Sequence, residues 1–69
     1  MMGEMTEEQR AAHIATYAIP ALLTDEDLRA AWIAHWKMYD QWPDPGAWYD
    51  RHRELLAEAT HREIFLNRV

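Results

Sequence analysis

Residues 24–48 read Thr24-Asp25-Glu26-Asp27-Leu28-Arg29-Ala30-Ala31-Trp32-Ile33-Ala34-His35-Trp36-Lys37-Met38-Tyr39-Asp40-Gln41-Trp42-Pro43-Asp44-Pro45-Gly46-Ala47-Trp48. Thr24 stands just before three acids. Its hydroxyl can accept an otherwise orphaned backbone N–H, and the carboxylates sit where a helix dipole is positive. From Leu28 the large apolar residues return every three or four positions. At about 100° per residue, Leu28, Trp32, His35, Trp36, Tyr39 and Trp42 share one face, with Arg29, Lys37 and Asp40 off its centre. Trp42-Pro43-Asp44-Pro45-Gly46 then breaks the pattern, with Asp44 as an N-cap and Pro45 at the first position of the next helix. The stretch predicts a helix over 25–41, a tight break and a new helix from 45.

Working outward, Thr6-Glu7-Glu8-Gln9 has the form of a capping box. The helix it starts should run over 7–18, because Ile19 precedes Pro20 and is pushed out of the helical region. Residues 1–5 are expected as a flexible leader. On the C-terminal side, Trp48, His52, Leu55, Leu56, Ala59 and Leu66 share a face, with Glu54, Glu58 and His61 opposite, which predicts a helix over 45–66. The first helix presents only Ala11, Ile14, Ala15 and Ala18, so it is expected to dock loosely, with Ile19, Leu22 and Leu23 anchoring the turn. The fold class is all-α: one domain over 1–69, a small three-helix bundle around a tryptophan-rich core.

Composition narrows the function. Sixty-nine residues allow a single domain. Without cysteine there is no disulfide framework, thiolate zinc site or cysteine nucleophile. No apolar run reaches the roughly 18 residues of a membrane span, and no basic-then-apolar signal opens the chain, so a cytoplasmic protein without membrane contact is expected. A core of this size supplies about 3–5 kcal/mol. Trp32, Trp36, Trp42 and Trp48 are the natural material for it, since each large aromatic buries roughly 150–250 Å².

Chemistry finds little to hold. Of His13, His35, His52 and His61, no two stand at the i, i+4 spacing of a helical metal pair. His35 and His52 lie on facing stripes, but the plainer reading is core-edge histidines hydrogen-bonded to a tyrosine or carboxylate, and no metal or cofactor is expected. There is no serine, no glycine-rich phosphate loop and no threonine beside an evident base, so no catalytic residue is assigned. The third helix carries Arg51, Arg53, Arg62 and Arg68, but Asp50, Glu54, Glu58 and Glu63 cancel them, whereas a duplex binder wants a basic stripe. Nucleic acid is therefore not the expected partner. A small dimeric DNA-associated regulator using helix three is the alternative reading. The reverse idea, an acidic face imitating nucleic acid, is weakened because antiparallel neighbours would place the acidic starts of helices one and two at opposite ends.

What remains is protein binding. Tryptophan, tyrosine and arginine are the residues of interface hot spots, and six arginines stand against one lysine. Trp42, Trp48 and Tyr49 flank the 43–46 turn and form the first expected contact site, although Trp42 and Trp48 clamping that turn is the structural alternative. Ile64 and Phe65 form the second, for a partner or for a second copy meeting helix three.

Met5-Thr6-Glu7-Glu8-Gln9-Arg10, the run Leu23-Thr24-Asp25-Glu26-Asp27-Leu28-Arg29-Ala30-Ala31-Trp32, the eleven alanines and the preference for arginine over lysine together resemble the short helical accessory proteins of bacteriophages infecting high-GC bacteria. The resemblance covers about half the chain and lies in composition and helix-start wording, with no functional motif. It implies a small viral protein in the bacterial cytoplasm that binds a host or phage protein, as a modulator or inhibitor. It carries no residue roles across.

Overall fold

The computed structural model describes residues 5–66, so most of the expected leader, Glu4 and Arg68 lie outside the described residues. Three α-helices, α1 (Glu7–Tyr17), α2 (Asp25–Lys37) and α3 (Pro45–His61), form a small all-α bundle, and no strand occurs among the described residues. Each start follows from its cap. Thr6 Oγ1 accepts from Gln9 N at 3.1 Å and Gln9 Oε1 from Thr6 N at 3.0 Å, completing the capping box. Thr24 Oγ1 accepts from Asp27 N, and Asp44 Oδ1 from Gly46 N with Pro45 at the first helical position.

The ends depart from expectation. α2 stops at Lys37 rather than 41: the Met38 N–H is shared between the carbonyls of Ala34 and His35, and the chain tightens into a 3-10 turn, Tyr39–Gln41. Pro43 then holds Trp42 in extended geometry. α3 stops at His61 rather than 66 through a Schellman turn. Ile64 N–H donates to Ala59 O at 2.8 Å and Glu63 N–H to Thr60 O at 3.0 Å, with Glu63 in the left-handed region at φ 60°. Glycine normally occupies that position, because a Cβ there costs about 1–2 kcal/mol. Glu63→Gly is therefore expected to raise stability by about 1 kcal/mol in urea unfolding; a loss of stability would show that the Glu63 side chain contributes more than the strain costs.

Packing makes α1 and α2 a close pair, not a loose one. Ala15 and Ala31 are fully buried beside Ile14, Leu28, Trp32 and Ala34, and Leu55 and Ala59 of α3 complete this cluster. Small residues let the helices approach, and Arg10 and Asp27 join them by two parallel 2.8 Å hydrogen bonds. The inner stripe of α3 runs Trp48, Arg51, Leu55, Ala59, which leaves Leu56 about 100° away and exposed. In the connector Ala18 packs on the core, and of the three expected anchors Leu23 does so. Ile19 and Leu22 point outward, because a three-residue 3-10 turn (Pro20–Leu22) turns one side inward and Arg62 occupies it.

Arg51 of α3 and Arg62, the C-cap of that helix, hold the connector. α1 ends without a glycine cap or a basic last turn, leaving carbonyls with no helical partner at the negative end of its dipole. The buried Arg51 guanidinium answers them: Nε donates to Ala15 O at 2.6 Å and Nη2 to Ala18 O, and Nη2 also donates at 2.9 Å to Ile14 O, which already accepts from Ala18 N. Nη1 pairs with Glu54 at 2.9 Å. Arg62 does the same three turns on, donating to Pro20 O and Ala21 O while bonding Asp25 and Glu58.

Candidate functional site

The exit of α2 and the entry of α3 bring the aromatic residues together. His35 is fully buried, its ring parallel to that of Trp48 at 4.1 Å and 8°. The Trp48 indole N–H donates to His35 O at 2.9 Å, so one interaction fixes both ring and backbone. Trp42 meets the His35 ring edge-on at 6.0 Å, and His52 comes within 5.5 Å. The two histidines do approach across the bundle, but not as a core-edge pair bonded to a tyrosine or carboxylate. Neither His35 nitrogen, nor His52 Nδ1, has a hydrogen-bond partner among the described residues. Burial pushes the His35 imidazole from 6.5 down to about 4, and the neighbouring His52 and Arg51 push the same way. His52 is lowered too, by burial first and Arg53 second. Among the described residues no group of three or more metal-ligating side chains converges.

Over this core lies an open cleft of about 310 Å³ lined by Trp36, Tyr39, Asp40, Trp48, Tyr49 and His52. The residues read as contact sites divide across the surface. Tyr49 stands on the cleft rim at 50% exposure, and Phe65 is 92% exposed beside Arg29, Trp32, Ile33 and Leu66. Trp48, at 1% exposure, is a core residue, because its ring fills the space between His35 and Tyr39. Trp42 is half-buried against His35. Ile64 is half-buried as well and packs on the core, as the residue that closes a Schellman turn commonly does.

Four features escaped sequence reading. Tyr39, placed on the inner face of a long second helix, turns outward because α2 ends two residues before it. Tyr17, Ile19 and Leu22 form an exposed apolar edge at the connector, Leu22 being 79% exposed. The acidic start of α1 lies across α2: Glu7 lines one shallow cleft with Arg10, Glu26 and Asp27, and with Glu8 a second one beside Ile33, Ala34 and Lys37. Capping boxes and periodicity carry no information about how two helices cross. Arg51 and Arg62, counted above on a DNA-facing helix, point into the molecule instead. No helix among the described residues is long and apolar enough to cross a membrane. No protein-family model matches the chain, and neither a curated protein nor a solved structure was found to be similar to it.

Proposed function

We propose that this chain is a small protein-binding module that meets its partner through the aromatic rim at Tyr39 and Tyr49 and the apolar projection at Phe65. The observation that carries this reading is the exposure of these side chains in a chain of 69 residues. A domain this small has little apolar surface to spare, and exposed large apolar groups that cluster mark contact surfaces. Tyrosine suits such a surface, with an apolar body and a polar tip. The resemblance in composition to bacteriophage accessory proteins supports a host protein as the partner, modulated or inhibited by the contact.

Capture from a nuclease-treated bacterial lysate tests the reading. One protein should be retained at about 0.5 M salt, where exposed charge contacts are largely screened. Tyr49→Asp or Phe65→Asp should lower its recovery about tenfold while the circular dichroism spectrum stays unchanged. Equal recovery by both variants would remove the reading. Recovery of DNA at low salt alone would favour the dimeric regulator acting through α3.

A further inference from the structure

We infer that the cleft between Tyr39 and Tyr49 receives the guanidinium of an arginine side chain presented by the protein partner, an assignment that rests on the protein-binding reading above. Three rings of the lining stand close to mutually perpendicular: Tyr39 to Trp48 at 83°, Trp48 to Tyr49 at 86°, and Tyr39 to Tyr49 at 72°. Trp48, buried and stacked on His35, is the floor, and the two exposed walls are Tyr39 and Tyr49, 42% and 50% exposed. The two tyrosine centroids are 6.4 Å apart, and a cation over such rings is held by their quadrupoles.

Charge points the same way. Asp25, Asp27, Asp50, Glu54 and Glu58 each hold an arginine of this chain. Asp40 is, with Glu7, Glu8, Glu26, Asp44 and Glu63, one of six acids that hold no arginine among the described residues, and of these it is the one in the cleft lining. The chain as a whole carries a formal charge of −5, which draws a cationic group in. His52, kept neutral at pH 7 by burial and Arg53, does not oppose it. Arginine fits better than lysine because its guanidinium is planar and weakly hydrated. It can lie against a ring while two N–H groups meet the Asp40 carboxylate. The Trp36 indole N–H is buried behind the wall without a partner among the described residues, so it reports on the cleft without contacting its occupant.

The test is a nuclear magnetic resonance titration of the full chain with N-acetyl-arginine amide, following the Trp36 indole N–H and the Tyr49 ring. Saturable shifts are expected with arginine amide, weaker ones with N-acetyl-lysine amide, and none with the citrulline amide, which keeps the shape and lacks the charge. Asp40→Asn should weaken arginine binding about fivefold, and Tyr49→Ala about threefold. Asp40 and Tyr49 are exposed, so both variants are expected to fold. Equal shifts with citrulline amide, or no effect of Asp40→Asn, overturn the assignment. A partner captured equally by the natural chain and Asp40→Asn, yet lost on Phe65→Asp, overturns it while leaving the protein-binding reading in place. Arginine amide bound by a chain that captures no protein supports the guanidinium site and removes the partner reading beneath it.

Discussion

Arg51→Ala is expected to remove most of the stability of the chain at room temperature. The guanidinium donates to the carbonyls of Ala15 and Ala18, which no N–H of α1 reaches, and also to that of Ile14, which shares its acceptor with Ala18 N–H. Buried acceptors left without a donor cost about 1–3 kcal/mol each, and the lost stem leaves a cavity between α1 and α3. Even with partial relaxation the loss should be about 3 kcal/mol, comparable with the roughly 3–5 kcal/mol a domain of this size possesses. Circular dichroism and urea unfolding measure it directly. Arg51→Lys should recover only part of the stability, because one ammonium cannot reach three carbonyls with the geometry of a fork. A loss below about 1 kcal/mol for Arg51→Ala would mean that water replaces the guanidinium at the end of α1.

The second large effect belongs to His35 and appears as a dependence on pH. In the unfolded chain the imidazole takes a proton near 6.5, while in the folded protein burial against Trp48 holds it neutral down to about 4. Between those two values the unfolded state binds more protons, so stability is complete above about 6.5 and falls as the pH drops toward 4. The whole effect is about 3 kcal/mol, at about 1.4 kcal/mol per pH unit. His52 adds to it in the same direction. Asp27 acts in a lower window. The hydrogen bond from Arg10 holds its carboxyl below 3.8, so its contribution is present above that value and lost only below it. A decline between pH 6.5 and 4 is thus a signature of the histidines. His35→Phe, which keeps a ring against Trp48, should flatten the decline and raise stability at pH 5. An unchanged slope would assign the effect to other groups.

Much of the fold was legible because it rests on local chemistry. Thr6, Thr24 and Asp44-Pro45 start helices by hydrogen bonds that lie within four residues of themselves, and all three starts fall where the caps put them. Ends were less legible. Glu63 takes a left-handed turn that usually announces itself as glycine, and the 3-10 turn after Lys37 carries no separate mark. Arg51 was hidden by its charge: a helical arginine reads as solvated, and only the third dimension shows that its face meets the end of α1. The same limit applies to the site. The aromatic cluster was visible in the spacing of the tryptophans, and Tyr49 and Phe65 do lie outside. Whether Trp48 or Tyr39 would be covered depended on where α2 ended, which the periodicity had placed four residues too late.

Site-specific photocrosslinking tests the central claim, protein binding at the aromatic rim, most directly. A photoreactive Tyr49→benzoylphenylalanine chain and a Thr60→benzoylphenylalanine control on the outer face of α3 would be irradiated in living bacterial cells. The account expects one discrete crosslinked protein from position 49 and none from position 60. No product from position 49, or the same products from both positions, would contradict it.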